Sequence, residues 1–159
     1  MIDEKTFGAK IDQHLASLLA LDVNTVFNVI YNSLVSWVHE TYKDVHEYNI
    51  AYDKYIEYTR VAIHQSRYQR STDKINWLES LFQYKKAVQH KNTIDQLVLT
   101  LGQMPPEIAL IFLSELTSAW CLSVSREKAK HYIHNKDMSD VELADTLFTW
   151  LLRPFDFFN

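Results

Sequence analysis

Arg126 and His131 lie five positions apart in the stretch SREKAKHYIHN, residues 125 to 135, and their types are those that RNA cleavage requires. A 2′-hydroxyl attacking the adjacent phosphate must lose a proton, the leaving oxygen must gain one, and the charge building on the phosphate needs a cation. Histidine titrates near neutrality and arginine grips phosphate through two parallel donors, so the two suffice. On a regular helix a separation of five turns the second side chain about 140 degrees from the first. The pair therefore meets only across a distorted turn, or in a dimer that faces two copies of the motif together.

An arginine, four to six intervening residues and a histidine form the motif of the ribonucleases of the HEPN superfamily, and Arg126 with His131 resembles it. The resemblance covers these two residues and a general all-helical character. It implies a helical fold, a dimer, and metal-independent RNA cleavage in which Arg126 and His131 are the catalytic residues. Glu127 departs from the neutral or basic residue that often follows the arginine, and its charge repels phosphate. With five arginines and seven histidines in the chain, one match at such spacing is what chance supplies. Ribonuclease activity is accordingly the alternative expectation and not the leading one.

The same stretch places Glu127, His131 and His134 at i, i+4 and i+7, a carboxylate and two imidazoles on one helical face. One face cannot close a coordination shell, and His39, His46 and Asp53 repeat at seven residues, about 10 Å apart along a helix axis. Both sets read as solvated polar faces, and neither a metal nor a cofactor is expected. A third grouping is electrostatic. Arg60, His64 and Arg67 form a basic stripe at i, i+4 and i+7, followed by Arg70, Lys74, Lys85, Lys86 and Lys91, with Tyr68, Trp77 and Tyr84 interleaved. Segment 60 to 91 holds seven Lys or Arg against two Asp or Glu, whereas residues 1 to 59 hold four against nine and 92 to 159 five against nine. Cations that track phosphates and aromatics that stack on bases make this segment, with Arg60, His64, Arg67 and Arg70, a candidate nucleic-acid contact. A net charge of -4 speaks against it, and pairing between the basic segment and its acidic flanks is the simpler reading.

The elements that must carry these residues are helices. Between residues 9 and 101 there is neither glycine nor proline, and apolar residues recur at three and four, as in Ile11, Leu15, Leu18 and Leu19. The pattern predicts a helix over 4 to 20, ended at LDVN, where Asp22 or Asn24 caps the next. That next helix runs from about 24 toward 69 with a break near HEYN, 46 to 49. Further helices are expected over 73 to 90, from KNTID to Gly102, over 106 to 122 after the prolines of MPPE, and over 140 to 152 with a capping box of Ser139 and Glu142. The segment IALIFLSELTSAWCLSV reads as a buried central helix, since Glu115 and several hydroxyls interrupt it, and no membrane association is expected.

The expectation is thus an all-α chain, one domain over 1 to 159, folded as a compact bundle of five to seven helices. Cys121 is the only cysteine, and the N-terminal MIDEKTFGAK lacks the basic start and apolar run of a secretory signal, which points to the cytoplasm. No glycine-rich phosphate loop, G-x-S-x-G or Cys-x-x-Cys occurs. The leading functional expectation is a helical protein that acts by binding another protein or a second copy of itself, as an adaptor, inhibitor, immunity or assembly subunit. The tyrosines Tyr48, Tyr52, Tyr55 and Tyr58 form its candidate partner-binding ridge, and Phe155, Phe157 and Phe158 a second aromatic surface.

Overall fold

The computed structural model describes residues 3 to 65, 90 to 127 and 138 to 153. Of these, 88% are helical, in six helices with no strand, so the protein is an all-α helical bundle. The helices are α1 (Glu4–Leu19), α2 (Val23–Thr41), α3 (Val45–Gln65), α4 (His90–Gly102), α5 (Pro106–Glu127) and α6 (Asp140–Leu151). The helix expected over 73 to 90 lies largely outside the described residues, as does the aromatic tail from Pro154 on.

Helix starts follow the capping chemistry of the sequence. Asp3 accepts the Thr6 amide at 2.7 Å, Asp22 the Thr25 amide at 2.8 Å, and Ser139 the Glu142 amide at 3.2 Å, each satisfying a donor that the first turn leaves without a helical partner. Pro106 occupies the first position of α5, where its missing amide costs nothing, and the Pro105 carbonyl receives the Ala109 amide at 2.9 Å. Around Ser123 to Ser125, where the sequence allows either a break or a continuation, helix α5 continues to Glu127.

The break between α2 and α3 falls at 42 to 44 and not at 46 to 49. Asp44 accepts the Glu47 amide at 2.9 Å, while the Glu47 carboxylate reaches back to the Lys43 amide at 2.8 Å. This reciprocal pair starts a new helix at Val45, and Tyr42 in extended conformation closes the old one. The residues HEYN then belong to the first turns of α3. Gly102 ends α4 without a left-handed backbone, and the turn is made by Gln103 and Met104, whose amides bond to Thr100 and Leu101 carbonyls ahead of the two prolines.

Helix α5 touches all five other described helices, most extensively α3 and then α6. From Ala109 to Ser125 only Ile111 is not fully buried. The stretch Pro106–Ser125 is long and apolar enough by composition to cross a bilayer, and 89% of it is buried inside the bundle. A helix that is apolar all round needs neighbours all round. Edge-to-face aromatic pairs fix three of those contacts: Phe7 of α1 on Phe112 at 5.2 Å, Phe27 of α2 on Trp120 at 5.8 Å, and, beside α5, Tyr55 of α3 on Phe148 of α6 at 6.0 Å. Each such pair adds about 0.5 to 1.5 kcal/mol beyond the area it buries.

His14 joins α1, α4 and α5. Its Nε2 lies 3.0 Å from Thr100 Oγ1 and its ring stands 5.9 Å from that of Phe112. Because the Thr100 hydroxyl donates to the Gln96 carbonyl, the histidine is the donor and carries its proton on Nε2. Burial, and then the charge of Lys10, pulls its pKa from 6.5 down to about 4.

Three outcomes are expected. Asp44→Ala removes the cap of α3 and destabilises the protein by about 1 kcal/mol in urea unfolding. Gly8→Ala stabilises it by about 0.5 to 1 kcal/mol in the same assay, since Gly8 is inside α1 and an added Cβ meets nothing within 4 Å. For His14, native and unfolded chains are both neutral above about pH 7.5, and as the pH falls below 6.5 the unfolded chain takes up a proton that the native one refuses until about 4. Stability therefore drops on acidification through that window, by on the order of 3 kcal/mol when complete. His14→Gln keeps the donor and removes the titration, so its urea midpoint should be flatter between pH 6.5 and 4 than that of the wild type.

Candidate functional site

The tyrosine spacing on α3 coincides with the face that α3 buries, which comprises Ala51, Tyr52, Tyr55, Thr59, Ala62 and Ile63. Tyr52 is 7% exposed and Tyr55 fully buried, so the expected four-tyrosine surface is corrected: two of its members belong to the core. The Tyr55 hydroxyl donates to Thr117 Oγ1 at 2.8 Å, while that threonine donates its own proton to the Leu113 carbonyl. Burial drives the Tyr55 pKa far up and raises that of Tyr52 to about 12, so both stay protonated. The two remaining tyrosines are half-buried and point to different neighbours. Tyr48 stacks on His39 of α2 with centroids 4.5 Å apart, and Tyr58 donates to Glu107 Oε1 of α5 at 3.1 Å.

Tyr58 borders the first of two recesses. Glu57, Tyr58 and Val61 on α3 face Ile111, Ser114 and Glu115 on α5 across an open groove of about 390 Å³. Positions 57, 58 and 61, like 111, 114 and 115, are successive steps along one helix face. Ile111 is the point at which the otherwise covered α5 surfaces, and Val61 opposite it is 41% exposed. The Ser114 hydroxyl is spent on the Leu110 carbonyl at 2.8 Å, which makes the floor less polar than its sequence reads. Two carboxylates, Glu57 and Glu115, line the groove, and Glu107 stands one turn before Ile111. Lys54 bonds Glu107 at 3.2 Å, which raises the lysine pKa. Partial burial, then the bond to Glu107 and its charge, raises that of Tyr58.

The basic stripe is only partly described. Arg60 Nη1 bonds Asp145 Oδ1 of α6 at 2.9 Å, with its guanidinium 5.5 Å from the Phe148 ring centre, and His64 Nε2 lies 3.7 Å from the same carboxylate oxygen. These two residues are turned to an acidic partner within the chain. Arg67 and Arg70, with Lys74, Lys85 and Lys86, lie outside the described residues. Arg126 is in the last turn of α5, and His131 and His134 lie outside the described residues, as does the geometry of the R-x4-H pair. No three His, Cys, Asp or Glu side chains converge to hold an ion among the described residues. Cys121 is buried at the centre of α5, where burial pushes its thiol pKa up.

Sequence reasoning did not reach the groove, because its walls come from helices about fifty residues apart. The half-exposed Ile111 in an apolar run carries no local mark, and Val61 differs from core valines only in the helix phase. Compared with models of known protein families, with curated proteins and with solved structures, the chain matches none.

Proposed function

We propose that the protein acts by protein–protein interaction, receiving in the α3–α5 groove a helical segment whose apolar stripe is flanked by basic residues. The observation that carries this reading is the groove's composition: an apolar strip of exposed Val61 with half-buried Ile111 and the Tyr58 ring, and the exposed Glu57 carboxylate at its edge. Amphipathic helices dock in such grooves through residues at i, i+3, i+4 and i+7, and the flanking charges set orientation and partner choice. The apolar strip supplies the contact area and Glu57 the electrostatic selection. Lys54 pairs with Glu107 at 3.2 Å and offsets that carboxylate, so the selection rests on Glu57.

The test uses a synthetic basic amphipathic helix and a charge-reversed counterpart, titrated by fluorescence anisotropy. The basic peptide should bind, with affinity falling as salt rises, and the acidic one should not. Glu57→Lys and Val61→Asp should each weaken binding about tenfold, or about 1.4 kcal/mol, with thermal midpoints unchanged within a few degrees. Equal binding of both peptides, indifference to the two substitutions, or a concentration-dependent dimer that Val61→Asp abolishes would each overturn the assignment, the last by giving the groove to a second copy of the chain.

A further inference from the structure

The second recess lies between α2 and α6. Helix α2 packs chiefly on α4 and α6 on α5, so among the described residues the two barely meet each other, and the space between them is a cleft of about 350 Å³. Its walls are Phe27, Asn28, Tyr31 and Asn32 of α2 with Trp150 and Leu151 of α6. Positions 27, 28, 31 and 32 share one helix face, so three aromatic rings and two amides open on the same space. Phe27 is held from behind by its edge contact with Trp120 in the core. Arg153, at the exposed end of α6, sets its guanidinium 6.0 Å from the Trp150 ring centre.

The amides are oriented by each other. Asn32 Nδ2 donates to the Asn28 backbone carbonyl at 2.8 Å, which fixes which end of that amide is nitrogen, and it also donates to Asn28 Oδ1. Those bonds use the Asn32 donor and the Asn28 acceptor. Asn28 Nδ2 and Asn32 Oδ1, the other ends of the two amides, are left with no protein partner among the described residues, one a donor and one an acceptor, on side chains that line the cleft.

We propose that this cleft binds a nucleobase bearing a phosphate. Every common nucleobase carries a donor next to an acceptor on its pairing edge, which the Asn28 and Asn32 groups complement, and its flat faces suit stacking on Trp150 or Tyr31. The volume fits one base with its sugar. Arg153 at the rim is the phosphate contact, since a guanidinium offers parallel donors to phosphate oxygens. Because the donor–acceptor pair matches all bases, the site selects a base over other ring systems and discriminates weakly among bases. The ligand is either a free mononucleotide or one residue of a single strand, and the chemistry is the same.

Calorimetric titration with AMP, UMP, adenosine, ribose 5-phosphate and an oligouridylate tests this. AMP and UMP should bind with similar affinity at or below about millimolar Kd, and ribose 5-phosphate far more weakly. The double variant Asn28→Ala, Asn32→Ala should lose about tenfold in affinity for both nucleotides, and Arg153→Gln should weaken AMP while leaving adenosine unchanged. All three positions are surface polar groups, and a shifted Trp150 indole resonance on titration reports the site directly in the unsubstituted protein. An oligouridylate bound at least about tenfold more tightly than UMP assigns the site to a strand, and equal affinity assigns it to a free nucleotide. Absence of binding by AMP and UMP at several millimolar, binding of ribose 5-phosphate equal to theirs, or an unchanged affinity in the double variant would overturn the proposal.

Discussion

The constraint from which the rest follows is that α5 has almost no polar side. A helix of 22 residues whose surface is apolar around its whole circumference has no face to turn to water, so its neighbours must enclose it. Each other described helix is amphipathic in the ordinary way, with one buried stripe; α1, α3 and α6 lay theirs chiefly on α5, while α2 packs chiefly on α4. Full burial of a large apolar side chain gives about 1.5 to 3 kcal/mol, and Leu110, Phe112, Leu113, Leu116 and Trp120 are each at most 1% exposed. The central helix therefore contributes far more than its share of residues.

The hydroxyls of α5 look at first like a contradiction. Ser114, Thr117, Ser118, Ser123 and Ser125 are all buried, and a buried hydroxyl without a partner costs about 1 to 3 kcal/mol. Each donates instead to a carbonyl three or four residues earlier in its own helix, so the helix satisfies them internally. What remains outside is a set of small side chains that let a neighbour approach closely. Tyr55 uses this, reaching Thr117 with its hydroxyl, and Thr59 bonds the Tyr55 carbonyl at 2.7 Å on the same seam. The extensive α3–α5 contact and the burial of Tyr55 have this one origin.

Local chemistry in the sequence was enough to place most helix ends, because a cap is made by residues three apart. Asp22 and Ser139 act where their spacing says they should. The α2–α3 break is legible in the same terms, through Asp44 and Glu47 in D-x-x-E spacing, a few residues before HEYN. The tyrosine ridge failed for a different reason. Periodicity says which residues share a face and is silent on what covers that face, and a tyrosine goes into a core as readily as to an interface when a buried oxygen receives its hydroxyl. Arg60 illustrates the long-range version. Its partner Asp145 is 85 positions away, and nothing near either residue marks the pair.

Both recesses arise from the way in which several rods cover one. Helices laid along a common axis touch it on lines, and between two such lines the surface is either closed by mutual contact or left open. Along the α3 line the fit to the hydroxyl face is close, and the opening appears only at the outer edge, where Ile111 emerges between Val61 and the carboxylates. Between α2 and α6 the gap is walled by the residues that face sideways, aromatic rings on both helices with two amides of α2 and Leu151 among them. Residues in such walls are held by neighbours: Phe27 by Trp120 in the core, and Tyr58 by a surface bond to Glu107 in the first turn of α5. A ligand or partner segment entering either recess meets side chains already held in place, and the ordering cost that weakens binding to mobile surfaces is largely absent. The apolar character of α5 thus sets the fold, and the two recesses are what its covering leaves open.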